Sequence, residues 1–463
     1  MIRQITKSRI KFILLSLFAF LIGFIIRINL VIPLFLVSLS SYVKFRRPHI
    51  KDCNLLNMAL LFLVIFVSSY FIIEKGIPFF YIPFSVIPML SVLLFSNLEM
   101  SLLLTLAVSF SLASLTNIPF QVGLLSFSSG IFSIILVQGA RRRNTVIRAG
   151  LLVGIVQAVA LFLIDWFWFI ASDRYLILVF NGLVSSIIVL GVLPIFEYLF
   201  RTVTNISLLE LADFNHPLLR RLIMEAPGTY HHSLVVGNLS ETACDAVGAN
   251  ALLARIGAYY HDIGKLHKPG YFSENQNVNE SRHDTLSPTM SKLIIMNHVK
   301  EGVELAKKHK LNPSIVDFIM QHHGNSLVYY FYRRALEELE EDQQVKEEGF
   351  RYACPKPDTK ETAIVLLADS VEAATRSLRD HTPRKIEELV HKVINNKFID
   401  GQLDECDLTL KDLETISSVF IKILDGIYHS RVNYPEEARS EDNHKKLSKE
   451  DTHQSGKDKK ENS

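Results

Sequence analysis

The stretch LLARIGAYYHDIGKLHKPGYFSENQ, residues 252–276, joins an apolar segment with helical spacing to a His-Asp pair, His261 and Asp262. The same three- and four-residue spacing of apolar residues recurs in other windows of the second half of the chain, at 232–247, 286–308, 312–323, 361–378 and 385–397. Few stretches alternate as strands do, and prolines punctuate helix starts and loops. The sequence therefore predicts an all-α domain over residues 205–435.

Further imidazole and carboxylate side chains lie on segments that are separate from residues 252–276. They are His232 in APGTYHHS, His298 in MNHVKEG, His322 and His323 in MQHHGNS, and Asp369 in LLADSVEA. These groups are the ligand set for zinc, iron or manganese, and helical bundles build metal sites from inward-facing polar residues on several helices. A single imidazole among apolar residues is more often a hydrogen-bonded core residue, but the whole set favours a metal site.

The adjacent pair His322 and His323 sets a geometric condition. Neighbouring residues on a regular helix point about 100° apart, because a turn contains 3.6 residues. Both imidazoles can reach one metal only if the helix ends or distorts at this position. Gly324, directly after the pair, is consistent with such an end.

Charge divides the chain into two parts. Residues 1–200 contain 15 Lys and Arg and 6 Asp and Glu, a balance of +9, whereas the remaining residues contain 34 and 41, a balance of −7. The first part is predicted to be embedded in lipid and the second to be soluble. The acidic second part argues against a nucleic acid polymer as partner, since such a partner needs a basic surface. Residues 439–463 have almost no apolar side chain and are predicted to be disordered.

Eight hydrophobic runs in residues 1–200 predict about eight transmembrane helices, with the lipid bilayer as partner. The runs fall at roughly 12–26, 30–43, 55–73, 78–96, 101–115, 120–138, 150–170 and 176–199. Most basic residues of the loops fall on one side of the predicted membrane, whereas Arg27, Lys75 and Arg174 fall on the other. Those on the first side are Arg3, Lys7, Arg9, Lys11, Lys44, Arg46, Arg47, Lys51, Arg141, Arg142, Arg143, Arg148 and Arg201. The positive-inside rule makes that side cytoplasmic. We therefore expect a multi-pass protein of the cell membrane with its soluble domain in the cytoplasm.

Asp165 is taken as the one carboxylate within a predicted span. It lies near the outer end of its run beside Trp166 and Trp168, so we interpret it as an interfacial residue. With no further polar group expected inside the membrane, the sequence predicts no transport pathway.

Long local stretches resemble the HD-domain superfamily of metal-dependent phosphohydrolases. More closely, they are similar to the PgpH-type membrane phosphodiesterases that hydrolyse cyclic di-AMP. Besides residues 252–276, the stretches include EAPGTYHHSLVVGNLSETA, HDTLSP, HVKEGVELA, QHHGNSLVYYFY and KPDTKETAIVLLADSVEAATRSL. The resemblance covers the last predicted spans and residues 205–435. Members of that type usually carry a large extracytoplasmic domain after the first span; the short predicted outer loops make us expect none here.

The resemblance implies a cytoplasmic HD domain that opens cyclic di-AMP to linear pApA with two divalent metal ions, iron or manganese, with zinc as an alternative. By analogy, one metal would be held by His232, His261 and Asp369, and the other by His298, His322 and His323. Asp262 would bridge the two metals, which activate the attacking water. His231 lies outside the matching position and is interpreted as structural. A homodimer is compatible with the sequence.

Lys265 and the HDTLSP loop are further candidate functional positions. Lys265 lies one helical turn beyond His261 and is the candidate phosphate clamp or leaving-group donor, with a solvated lysine as the alternative. His283 and Asp284 in HDTLSP either face the substrate or cap the helix that begins near Pro288, and the cap is favoured.

Three other functions stay open at this point. The first is an HD phosphohydrolase acting on cyclic di-GMP, a nucleoside triphosphate or another phosphoester; cyclic di-GMP is disfavoured because no Gly-Tyr-Pro extension is evident after His323. The second is a membrane nucleotide receptor whose HD site binds without cutting, which the complete ligand set disfavours. The third is a transporter with a regulatory domain, which the shortage of polar residues in the predicted spans disfavours.

Overall fold

Helices make up both halves of the structure, a computed structural model that describes residues 52–165, 173–276, 282–338 and 345–428. The first half contains α1 (Asp52–Glu74), α2 (Val86–Phe95), α3 (Leu98–Ser114), α4 (Pro119–Val137), α5 (Arg143–Ile164) and α6 (Asp173–Phe200). The second contains α7 (Asn205–Leu211), α8 (Pro217–Glu225), α9 (Pro227–Ala246), α10 (Ala251–Tyr260), α11 (Pro288–Lys308), α12 (Pro313–Gln321), α13 (Tyr329–Glu337), α14 (Lys360–Arg376), α15 (Pro383–Ile399) and α16 (Leu410–Tyr428). Within the described ranges the β-structure amounts to an isolated bridge between Leu327 and Arg351. The all-α prediction is confirmed.

Within residues 52–165 and 173–200, which the structure describes, four helices are long and apolar enough to cross a membrane: Leu56–Glu74 within α1, and α4, α5 and α6. The span predicted at 78–96 is not one continuous helix. Pro78 and Pro83 lack the N–H that a helix interior requires, and the segment forms a 3₁₀ turn at Phe79–Tyr81 before α2 begins. With ten residues, α2 is about 15 Å long and too short to cross a bilayer. The predicted runs at 12–26 and 30–43 lie outside the described residues.

Neutral polar side chains are buried between the helices of the first half. Gln157 Nε2 donates to Ser129 Oγ at 2.7 Å and to Ser85 Oγ at 3.2 Å, and the two hydroxyl oxygens lie 2.7 Å apart. Asn181 Nδ2 donates to two backbone carbonyls that precede α2. The expectation that the spans hold no polar group besides Asp165 is wrong, since Gln157 and Asn181 lie within the predicted runs 150–170 and 176–199. Only the folded bundle shows which partners they meet. Asp165 itself caps the C-terminal end of α5.

A second carboxylate, Glu197, lies inside the predicted span 176–199 and corrects the expectation that Asp165 is the one such group. Glu197 is buried near the end of α6. Its carboxylate accepts hydrogen bonds from the Thr204 backbone N–H and the Ser207 hydroxyl, both at 2.8 Å. Thr204 in turn caps α7. Glu197 therefore links α6 to α7. An exposed ion pair between Arg143 on α5 and Glu210 on α7 is a second link between the two halves.

The helices predicted at 286–308, 312–323, 361–378 and 385–397 begin within about two residues of the predicted starts, whereas the one predicted at 232–247 begins five residues earlier, at Pro227. Prolines mark many of the helix starts in the second half. Five of the helices have proline as their first residue: Pro217, Pro227, Pro288, Pro313 and Pro383. Proline is favoured there because its missing N–H has no partner in the first turn. At the centre lies α14, in which every residue from Ala363 to Ala368 is fully buried. Apolar residues of α9, α10, α12, α15 and α16 pack around it, so a polar residue on α14 must find its partners inside the protein.

Candidate metal centre

The His-Asp pair lies where α10 ends. His261 is the C-cap of α10, and a 3₁₀ helix, Ile263–His267, follows Asp262. The expectation that His261 and Lys265 are one α-helical turn apart is therefore wrong, although the Lys265 N–H still bonds to the Asp262 carbonyl at 3.0 Å. A Cβ on Gly264 would lie 1.8 Å from the His298 carbonyl oxygen. Only glycine lets this turn approach α11 so closely, and that approach brings Asp262 to His298.

The other candidate ligands converge on the same turn from four more helices. His232 lies on α9, His298 on α11 and Asp369 on α14, and all three are buried. For the adjacent pair, α12 ends at Gln321 and His322 is its C-cap. Gly324 adopts a left-handed conformation with φ of +53°. The predicted helix end at the His-His pair is confirmed.

Two groups of ligand atoms result, and Asp262 lies between them. The first ligand group consists of His232, His261, Asp262 and Asp369; the second ligand group consists of His298, His322 and His323. The Asp262 oxygens face different groups: Oδ2 lies 3.1 Å from His261 Nε2, and Oδ1 lies 3.3 Å from His298 Nε2. Asp369 also reaches both groups, since its Oδ1 lies 3.1 Å from His232 Nε2 and its Oδ2 lies 3.5 Å from His323 Nδ1.

Hydrogen bonds at the rear of the rings aim the Nε2 atoms at the centre. The Nδ1–H of His261 donates to the Ala258 carbonyl at 2.6 Å. His298 and His322 donate in the same way to the carbonyls of Ile295 and Ile319. The Nδ1 of His232 instead donates to a side chain, Glu372 Oε2, at 2.5 Å. Such outer partners fix the tautomer of a metal-binding histidine and orient its ring.

The donor atoms of the centre fit a divalent cation better than they fit one another. His261 Nε2 and both oxygens of Asp262 are buried without a hydrogen bond, although Lys265 Nζ forms a 2.8 Å ion pair with Oδ2. The Nε2 atoms of His298 and His322 face each other at 3.2 Å while both Nδ1 atoms donate to carbonyls. Two facing lone pairs repel unless a cation lies between them. Buried unsatisfied groups of this kind call for an ion.

The electrostatic setting keeps the second ligand group neutral. Burial, helped by the neighbouring His261, lowers the pKa of His322 to about 3. Burial and His322 hold the pKa of His323 well below its usual value. For Asp262, burial raises the pKa, but His261 and Lys265 outweigh it and hold the pKa well below the usual value. Neutral imidazoles around an ionised carboxylate are the protonation states that metal ligation requires.

Lys265 is not a solvated lysine. Its ammonium pairs with Asp262 Oδ2 at 2.8 Å and with Glu274 Oε1 at 2.6 Å, and the side chain is 12% exposed. Burial lowers the pKa of Lys265, but the two carboxylates raise it further, to above its usual value. Glu274 was missed by the sequence reasoning, although it lies within residues 252–276. Its own pKa, which burial alone would raise, is lowered to about 2 by Lys265.

The remaining predicted positions lie outside this cluster. His231 is exposed on α9 and points away from the buried His232. The favoured cap role for His283 and Asp284 is wrong: Ser287 caps α11, accepting from the Met290 N–H at 3.3 Å. His283 is buried and its ring Nε2 bonds to the Tyr271 carbonyl at 2.8 Å, while Asp284 is exposed. Serine was the stronger cap signal, since it directly precedes the proline at the helix start.

Glu372 is a further functional candidate that the sequence reasoning missed. It lies three residues after Asp369 on α14 and is 3% exposed. The helical spacing of Asp369, Glu372 and Arg376 places all three on one side of α14. That spacing was a usable signal, but a glutamate in a helix is usually solvated, so the sequence by itself gave no reason to choose it.

Family models match both halves of the chain. Residues 18–204 match the family model described as 7TM receptor with intracellular HD hydrolase, and residues 229–374 match the HD domain. Cyclic-di-AMP phosphodiesterase PgpH of Bacillus subtilis (strain 168) is 44% identical over 323 residues, which cover 68% of this chain and 45% of the relative. The protein of the same name from Listeria monocytogenes serotype 1/2a (strain 10403S) is 37% identical over 390 residues, covering 83% and 54%. The chain thus spans about half the length of the curated relatives it matches.

A solved structure is similar to the second half. It is the L. monocytogenes PgpH HD domain in complex with cyclic-di-AMP, 47% identical, covering 47% of this chain and 100% of that one, with a TM-score of 0.45. The family model for the first half and the apolar helices of the structure make this chain a membrane protein. With its HD domain and its similarity to both relatives, the chain belongs to the PgpH-type membrane proteins of the HD-domain superfamily.

Proposed function

We propose that this chain hydrolyses cyclic di-AMP to linear pApA at a two-metal site in its second half. The observation that carries the proposal is the convergence of seven candidate ligands in two groups, with one oxygen of Asp262 facing each group. The substrate follows from the names of the two relatives, both called cyclic-di-AMP phosphodiesterases. A small anionic dinucleotide suits a site whose positive charge comes from bound cations.

In this proposal His232, His261 and Asp369 hold one metal, and His298, His322 and His323 hold the other. Asp262 would serve both metals, because one of its oxygens faces each ligand group. Imidazole and carboxylate donors suit iron, manganese or zinc, and we propose iron or manganese. The bound ions would supply the positive charge that acidifies a water and neutralises phosphate oxygens.

The protein's own contribution centres on Asp262 and Lys265. The Asp262 carboxylate is ionised and held between both ligand groups, which fixes their spacing. Lys265 Nζ carries three N–H bonds, of which two point at Asp262 and Glu274. Its raised pKa keeps it protonated, so it can donate to a phosphate oxygen or to the departing 3′ oxygen of the ribose. Glu274 prevents this ammonium from leaving the centre.

The proposal also includes the subcellular location of the site. We propose that the HD domain, residues 205–435, lies on the cytoplasmic face of the plasma membrane, supported by the basic residues Arg141, Arg142, Arg143, Arg148 and Arg201 that flank the membrane helices. A cyclic dinucleotide made in the cytoplasm would then reach it by diffusion. A homodimer belongs to the same proposal and is checked by the mass of the purified protein in detergent.

The test uses the full chain purified in detergent. We expect cyclic di-AMP to be converted to pApA with Mn²⁺ or Fe²⁺, and the same preparation treated with a chelator to be inactive. Cyclic di-GMP and a nucleoside triphosphate, run in parallel, separate the other phosphohydrolase functions. Binding of cyclic di-AMP without any product in all metal conditions would instead identify a nucleotide receptor and end the enzyme proposal.

A further inference from the structure

Two glutamates whose side chains are at most 6% exposed lie behind the first ligand group without being ligands. Glu372 accepts the Nδ1–H of His232 at 2.5 Å, with both side chains less than 5% exposed. Glu274 pairs with Lys265, which in turn pairs with Asp262. Each glutamate therefore acts one step behind a group of the centre.

Arg376 joins these two glutamates. It lies one turn after Glu372 on α14; its Nη1 is 3.7 Å from Glu372 Oε1 and its Nη2 is 3.9 Å from Glu274 Oε2. The two oxygens of Glu372 are thus divided between His232 and Arg376. Acidic and basic side chains therefore alternate in a closed ring of ion pairs. In order, its members are Asp262, Lys265, Glu274, Arg376, Glu372 and His232, which pairs again with Asp262.

Among the residues that the structure describes, the rings of the second ligand group pair with no carboxylate besides the candidate ligands Asp262 and Asp369. His298 and His322 are oriented by backbone carbonyls of their own helical segments, and the same holds for His261. A carbonyl acceptor is neutral and comes with the helix, so it is present whenever the helix is folded. Glu372 is a charged side chain, and a carboxylate acceptor makes the imidazole a stronger metal ligand than a carbonyl does.

We propose that Glu372 is a positioning residue that makes the first ligand group depend on one carboxylate, while the second ligand group stands without it. Arg376 holds Glu372 in the orientation that His232 needs. Loss of the carboxylate lets the His232 ring rotate and removes the charge that enhances its ligand strength. The inference rests on the proposed two-metal function and deepens it, because it assigns different supports to the two metal positions.

The experiment counts Mn²⁺ ions bound by the full chain in detergent and measures their affinities. We expect two ions for the wild type and one for Glu372→Ala. For Glu372→Gln, which keeps an oxygen acceptor but not the charge, we expect two ions, one of them bound about 10- to 100-fold more weakly. His232→Ala should lose the same ion, and adding Glu372→Ala to it should cause no further loss, because Glu372 acts through His232.

A matched control is Glu388→Gln, which removes the charge of a glutamate in an exposed (i, i+4) pair with Arg384 on α15. It should bind both ions with wild-type affinity. A second readout separates positioning from a packing defect: turnover by Glu372→Gln should return to near the wild-type value at saturating Mn²⁺. A variant that is damaged in its packing would not recover in this way.

The outcomes divide cleanly. Wild-type protein that binds no ion overturns the proposed function and this inference with it. Wild-type protein that binds two ions, together with Glu372 variants that also bind two at unchanged affinity, overturns the inference alone. If Glu372→Ala does not fold, the Mn²⁺ affinities of Glu372→Gln decide. If both ions are lost together, or if both bind with unchanged affinity, Glu372 does not selectively support the first ligand group.

Discussion

Polar groups are buried in both halves of this protein, but the two halves differ in the charge of these groups and in how they are hydrogen-bonded. In the membrane half the buried cluster of Ser85, Ser129 and Gln157 is uncharged, and its members bond mainly to each other. In the HD half the buried cluster around Asp262 is ionisable, and its central atoms lack hydrogen bonds. Both clusters are made from segments distant along the chain.

The difference indicates what each cluster is for. In lipid no water can satisfy a polar group, so polar side chains between membrane helices pair internally and stabilise helix association. Atoms such as Asp262 Oδ1 and His261 Nε2 would be costly in any folded protein if nothing bound there. In the membrane cluster the amide nitrogen and both hydroxyls are paired and Gln157 Oε1 alone lacks a hydrogen bond, which fits a structural role. The chemical role belongs to the ionisable cluster around Asp262.

The largest expected effect comes from Asp262→Ala. Because Asp262 faces both ligand groups, its loss should remove both ions and lower turnover by far more than the 10- to 100-fold typical of an outer partner. Metal content and pApA formation measure the two consequences. Asp380→Asn, which alters an exposed ion pair with Lys385, serves as the control. Turnover that survives in the Asp262 variant would refute the bridging role.

Gly264→Ala should have the next largest effect. Its new Cβ would meet the His298 carbonyl at 1.8 Å, so the 3₁₀ turn and α11 must separate. Asp262 would then move away from His298, and we expect binding at the second ligand group to weaken by at least about tenfold. Equilibrium binding of Mn²⁺ measures it. The control is Gly426→Ala, because the new Cβ would have open space around it. Gly248→Ala is unsuitable because Gly248 has a positive φ, which strains an alanine.

A smaller and graded effect should follow from pH. Burial lowers the pKa of His232, but Asp369 and Glu372 raise it more, to about 10. We therefore expect the metal-free protein to hold a proton on each nitrogen of this ring at pH 7, so that a bound metal would have to displace the proton on Nε2. We expect affinity to rise by up to about tenfold per pH unit below pH 10 for this one proton. Calorimetry in buffers of different ionisation enthalpy should detect the released proton; equal heats in all buffers would contradict it.

The smallest effect is expected from Gln157→Leu in the membrane half. The variant removes the two donated bonds but leaves Ser85 and Ser129 paired with each other. Membrane hydrogen bonds of this kind contribute about 1 kcal/mol, so the thermal midpoint in detergent should fall slightly. Metal content and turnover should stay at wild-type values. A loss of metal in this variant would break the division between a structural and a chemical cluster.

Much of the candidate site could be predicted from the sequence, because the residue types that bind metals can be recognised within a single segment. His261, Asp262 and Lys265 could be chosen from one stretch, and the end of α12 at the His-His pair followed from helix geometry and Gly324. Glu372 and Glu274 could not be chosen, since a glutamate shows its role only when its neighbour across the fold is known. The position of Ser287 directly before Pro288 is a capping signal in the sequence, whereas His283 and Asp284, to which the cap was assigned, lie farther from the helix start.

The amino-acid sequence alone determined that the chain is helical, that its first half is apolar enough for lipid, and which residue types could bind a metal. These properties depend on composition and on the spacing of residues along one segment. Only the tertiary structure decided that Asp262 directs one oxygen to each ligand group, that Gln157 meets two serines, and that Glu372 lies behind His232. The physical reason is that those contacts join residues separated by tens to more than a hundred positions, and no local pattern encodes the distance between them.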